Sequence, residues 1–127
     1  GWDNETVING SGDNVENCLL VGAFSPEDER PAVKNFMAGF KKKNGVSPGT
    51  FEALGYDSAS MLIEALKDGA TAEAAQKKLR QIKDFEAVTG RITVSPDGDA
   101  IKSAVILKIV KGAEGKFVTK YVATVNP

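Results

Sequence analysis

A chain of 127 residues, 42% of them hydrophobic and 26% charged, is long enough to bury one core and too apolar to stay disordered. Its net charge of −1 offers no electrostatic footprint for nucleic acid or an anionic membrane, and no run is long and apolar enough to span a bilayer. Histidine is absent, which removes Ser-His-Asp and Cys-His catalysis and most transition-metal sites; the single cysteine, Cys18, permits no intrachain disulfide.

The opening stretch, residues 2–17, is polar and carries Gly10 and Gly12. Asn4 is placed to cap a helix of at most two turns through Val7 and Ile8, because the glycines weaken anything longer. Asn4-Glu5-Thr6 also spells a glycosylation sequon, a motif short enough to recur by chance. The apolar run from Cys18 to Phe24 is too short for a helix and is interrupted by Gly22. It predicts a strand buried on both faces, with Cys18 an inert buried thiol. Ser25 to Asp28 reads as a loop, and Pro31 suits the first turn of a helix. Val33, Phe36, Met37 and Phe40 recur at helical spacing. Asn44-Gly45 ends that helix, and Lys41, Lys42 and Lys43 complement the dipole of its last turn.

Pro48 and Gly49 break the chain before a second, longer helix, Phe51 to Lys67, which Thr50 is expected to cap. Its apolar set is Phe51, Leu54, Met61, Leu62, Ala65 and Leu66, with small Gly55, Ser58 and Ala59 between them. Thr71 caps a third helix reaching Ile82, with Ala75, Leu79 and Ile82 facing inward. The last third turns to β structure: a strand over 91–94, a turn at Pro96-Asp97-Gly98, and two segments over 103–110 and 116–125. The resulting class is α/β, in the order strand, three helices, β meander.

Little in the chain reads as catalytic. Asp97-Gly98-Asp99 lacks the later carboxylates of a calcium loop and is a plain turn. No nucleotide-binding glycine motif is present, so no cofactor and no metal are expected. The aromatic residues carry more. Trp2 lies beside Asp3, Phe51 opens a helix, and Tyr56 adjoins Asp57. An aromatic at a loop or helix start forms the wall of a small-ligand cleft, or packs as ordinary core.

Taken in order, several motifs are shared with one family: Gly1-Trp2-Asp3; Cys18-Leu19-Leu20-Val21-Gly22; Phe24-Ser25-Pro26-Glu27-Asp28; Pro31-Ala32-Val33 with Phe36; Phe51 with Ala53-Leu54-Gly55-Tyr56-Asp57-Ser58; the run from Lys83 to Val94; and Lys102-Ser103-Ala104-Val105-Ile106. The ordered set closely resembles the C-terminal segment of the type I periplasmic solute-binding proteins of ABC transporters, of the branched-chain amino acid type. The resemblance implies part of a two-lobed fold, with 1–49 and 90–127 supplying second-lobe and hinge elements and 50–89 supplying first-lobe helices. It implies a non-enzymatic binder of an amino-acid-like ligand that partners an ABC permease. The location implied is periplasmic or extracellular, with a lipid anchor on the parent protein as one form of it.

In the family an acidic residue just before the match to Gly1 holds the ligand's ammonium group, and that residue is absent here. The aromatic matching Phe51 lines the cleft, and Trp2 and Asp3 adjoin the missing acid. These three are the expected ligand-binding residues. The opening without methionine reads as a mature or truncated product that lacks the N-terminal portion of its parent. The apolar helix faces are then expected to seek another partner, as an intertwined homodimer, and the isolated chain is expected to bind free amino acids weakly. A ligand-sensing receptor domain, a self-contained α/β interaction module and a small α/β hydrolase are the alternative readings.

Overall fold

The computed structural model describes residues 3–127, so the expectation placed on Trp2 lies outside the described residues. The polar opening forms the short helix that its cap predicts. Helix α1, Glu5–Gly10, starts where the Asn4 side chain accepts the N–H groups of Thr6 at 2.8 Å and Val7 at 3.4 Å. Strand β1, Leu19–Gly22, then pairs antiparallel with β5, Ala104–Lys111, whose other edge pairs with β6, Phe117–Val125. Ile8, Ile109 and Phe117 are buried on one face of this sheet, with Val15 and Leu20 packed against them.

Two expectations fail at β1. The strand is buried on neither face completely: Leu19 and Val21 are 63% and 75% exposed. Successive side chains point to opposite faces. Leu20 reaches the core under α1, whereas no element among the described residues covers Leu19 and Val21. An apolar run alone cannot report which of its faces has a neighbour. Cys18 is likewise an exposed free thiol, not a buried one, because it precedes the strand at an open edge of the sheet.

The middle of the chain builds a second core. Helix α2, Pro31–Asn44, has proline in its first turn and ends on Gly45 at φ 77°, a left-handed position where a Cβ would be strained. Its Val33 and Phe36 are buried with Phe24, Ala53 and Val88, while Met37 and Phe40 pack around them. Helix α3 spans Thr50–Leu66 and helix α4 Ala72–Arg80. The Thr71 side chain caps α4 by accepting the Ala74 N–H, as expected. Thr50 does not cap α3. Gly49 is the cap residue, and its N–H donates to the Glu52 carboxylate at 2.9 Å. An acid at the third helical position satisfies that donor and leaves the Thr50 hydroxyl free for a partner elsewhere.

Helix α3 is two-faced. Ala53, Asp57 and Ala65 are buried, whereas Phe51, Leu62, Ile63 and Leu66 are exposed. At 100° per residue the exposed apolar side chains share one stripe with Gly55, Ser58 and Ala59. Nothing among the described residues covers this stripe.

A second antiparallel sheet, β2 (Phe85–Ala87), β3 (Gly90–Val94) and β4 (Ala100–Lys102), follows in the order β2-β3-β4. Only β3 was legible; strands of three residues are too short to show alternation. The Pro96-Asp97-Gly98 turn forms as predicted, the Gly98 N–H donating to the Ser95 carbonyl at 2.9 Å. The chain therefore starts in one core, passes to the other through residues 22–24, and returns through residues 102–104.

Candidate ligand cleft

Where the first described residues meet the start of α3, a cleft of about 510 Å³ opens between the two cores. Asp3 stands on the sheet side. Its Oδ2 accepts the Thr50 hydroxyl across the cleft at 2.6 Å and sits close over Gly22, where an added Cβ would lie 3.6 Å from it. Phe51, one residue into α3, is 65% exposed and lines the same cleft, together with Pro26 and Met37. Asp3 and Phe51, two of the three residues singled out from sequence, are thus brought to one cleft; Trp2 lies outside the described residues.

The cleft has one sign of charge. Asp3, Glu5 and Glu52 line it, and its described lining includes no lysine or arginine. An apolar ring beside several carboxylates suits a small ligand that carries a cationic group and an apolar body. Among the described residues no cluster of His, Cys, Asp and Glu has the makings of a metal site.

Polar fasteners tie α3, the loop before α2 and β4 to the β2–β3 hairpin, and these the sequence reading missed. The Asp57 carboxylate is 3% exposed and accepts the N–H groups of Val88 and Thr89, both at 2.8 Å. Arg30 donates to the carbonyls of Ala87 at 3.1 Å and Val88 at 2.7 Å, and pairs with Asp28 at 2.9 Å. Lys102 donates to the Thr89 hydroxyl at 2.5 Å. Burial holds the Lys102 ammonium below the usual lysine range, while Asp57 pulls the other way. The Tyr56-Asp57 pair was the one available signal for this network, since a carboxylate on the inward face of a helix needs donors.

Two larger cavities lie elsewhere. One of about 680 Å³ runs over the rings of Phe36, Phe40 and Tyr56 between α2 and α3. Another of about 890 Å³ separates the hairpin from the end of β6. Neither combines an exposed ring with charges of one sign at the seam between the cores.

Residues 1–114 match the family model described as periplasmic binding protein. Among solved structures, a leucine-binding protein of Thermotoga maritima is 30% identical with a TM-score of 0.83, covering 100% of this chain and 36% of that one. A branched-chain amino acid transporter substrate-binding protein of Streptococcus pneumoniae, in complex with isoleucine, is 25% identical with a TM-score of 0.78, covering 96% and 36%. An ABC transporter substrate-binding protein of Desulfitobacterium hafniense, in complex with Leu, is 27% identical with a TM-score of 0.72, covering 85% and 32%. The chain thus spans about a third of the length of these proteins. Comparison with curated protein sequences finds no match.

Proposed function

The chain belongs to the periplasmic binding protein family, and from that premise we propose that it forms one wall of an extracytoplasmic site for a branched-chain amino acid, delivered to an ABC permease. The observation that carries the reading is the acidic cleft with Phe51 at its lip. Its carboxylates suit the ligand's ammonium group, and the ring suits an aliphatic side chain. Asp3 and Phe51 are the proposed contacts, with Trp2 proposed beside them from sequence. Capture proceeds by closure of two bodies on the ligand, without bond chemistry. No helix among the described residues is long and apolar enough to cross a membrane.

The uncovered stripe on α3 and the outer face of β1 favour a further layer that these 127 residues do not encode. We propose that the isolated chain covers them by self-association as a homodimer. Light scattering coupled to size-exclusion chromatography tests this; a monomer at concentrations of about 100 μM, far above the dissociation constants of specific dimers, overturns it.

The ligand reading is tested by calorimetry with leucine, isoleucine and valine. One wall alone buries a ligand poorly, so the isolated chain is expected to bind with Kd of about 1 mM or weaker. Joined to the remaining two-thirds of a family member's fold, it is expected to bind in the micromolar range, and Phe51→Ala is expected to weaken that by about tenfold or more. Unchanged affinity in Phe51→Ala and Asp3→Asn alike overturns the assignment of the wall.

A further inference from the structure

We propose that Glu27 is a positioning residue for the cleft: its carboxylate clasps β6 beside the two chain crossings and restrains the angle between the cores, and so the aperture of the cleft. The inference rests on the reading of the cleft as the ligand wall for its functional meaning, but its geometry stands apart from that reading.

Two covalent crossings, residues 22–24 and 102–104, join the cores. Two links leave one rotation free, about the line joining them, so non-covalent contacts between the cores must hold the angle. The loop 25–30 makes such a contact. Pro26 lines the acidic cleft, whereas Glu27 lines a second cavity, with Tyr121 and Thr124. Glu27 accepts the Lys120 ammonium at 2.6 Å and the Tyr121 N–H at 2.9 Å. Adjacent residues of one loop thus touch the cleft and the far strand.

The loop is stiff enough to transmit this. Ser25 is buried; its hydroxyl accepts the Glu27 N–H and its carbonyl accepts the Asp28 N–H, both at 3.2 Å. Arg30 and Asp28 fasten the loop to the hairpin and thereby to the helical core. On the strand side, the β5–β6 register shifts between Ile106 and Leu107, so that Val122 is an extra residue immediately after Tyr121. Such a bulge increases the local twist and re-aims the edge, here at the point where Glu27 grips it. Both donors hold the Glu27 carboxyl below the usual glutamate range, Lys120 first and the Tyr121 N–H second.

The single exposed thiol makes the test direct. Cys18 reports on the sheet core, and Lys42→Cys on α2 adds a second exposed position on the helical core. Spin labels at the pair give the distance distribution between the cores by pulsed dipolar spectroscopy. Glu27→Ala is expected to broaden that distribution about twofold, and Lys120→Met, which removes the ammonium but leaves the Tyr121 N–H, to broaden it less, as a released hinge would. A Glu27→Ala distribution that superimposes on the parent's, with the circular dichroism unchanged, overturns the proposal. If Glu27→Ala does not fold, Glu27→Gln and Lys120→Met decide the matter: broadening in either supports the clasp, and parent-like distributions in both overturn it. The measurement needs no ligand, so failure of the amino acid titrations leaves it standing, and its own failure leaves those titrations intact.

Discussion

Removing the carboxylate of Asp57 should be among the most damaging single changes on this chain that deletes no apolar group. Asp57 is 3% exposed and takes two backbone N–H groups at 2.8 Å. Val88 and Thr89 are themselves buried, so water does not readily replace the lost acceptor. In Asp57→Ala two buried donors lose their partner at about 1–3 kcal/mol each, about 2–6 kcal/mol together. A domain of this size has only about 6–19 kcal/mol of stability in total, so the variant gives up a large share of it. Asp57→Asn keeps one carbonyl oxygen but turns an NH₂ toward the other donor, so about half the cost, 1–3 kcal/mol, is expected. Urea unfolding followed by circular dichroism gives the difference in stability. Native-state hydrogen exchange locates it, with faster exchange expected at the Val88 and Thr89 amides. An Asp57→Ala variant within about 1 kcal/mol of the parent, with both amides still protected, would refute the reasoning.

Lys102 carries a pH prediction. Burial lowers its folded pKa below 10.5, so between that lowered value and 10.5 the unfolded chain binds more protons and stability rises with pH. Lys102→Met should flatten this rise, and the difference between parent and variant in urea melts at stepped alkaline pH measures it; identical slopes would count against a buried ammonium. Cys18, exposed at the mouth of β1, should react fully with a thiol reagent in the native protein at the rate of an unfolded control to within about tenfold. Protection that disappears only in denaturant would place the thiol inside.

Local chemistry made much of the fold legible. Asn4 and Thr71 cap their helices, Pro31 opens one and Gly45 closes it, because each acts on backbone groups within four residues of itself. What sequence could not show is which surfaces meet. The run around Leu19 to Val21 is apolar enough for burial, but exposure depends on whether a neighbouring layer exists. The residue type of Thr50 favours a capping role, yet a glutamate two residues on satisfies the cap and frees the hydroxyl for Asp3, 47 residues away. Asp57 finds its donors 31 and 32 residues downstream, and Glu27 meets Lys120 across 93. The cleft was half legible for the same reason. Phe51 and Asp3 came from the ordered motifs, whereas the one-sided charge that Glu5 and Glu52 give it appears only once both cores are folded.

The distribution of polar bonds is the one that the proposed hinge between the cores requires. Asp57, Arg30 and Lys102 spend their hydrogen bonds on the helical core and its hairpin, and the sheet core is closed by its own ladders. Among the described residues, the side-chain bonds across the seam include those of Thr50 to Asp3, of Lys120 and the Tyr121 N–H to Glu27, and a long one, 3.5 Å, from Lys102 to the Ala23 carbonyl. Lys120 and Glu27 are both exposed, and exposed ion pairs of this kind contribute only about 0.2–1 kcal/mol each. The free energy of micromolar binding is about 8 kcal/mol, so a ligand with even part of that as differential affinity for the closed form can move the angle. On the proposed reading of the cleft, Asp3 would make the coupling direct, because the oxygen that accepts the Thr50 hydroxyl belongs to one of the lining carboxylates. Under the same proposal, a ligand drawing on that oxygen would alter the Asp3–Thr50 contact while the Glu27 contacts to Lys120 and Tyr121 stay in place.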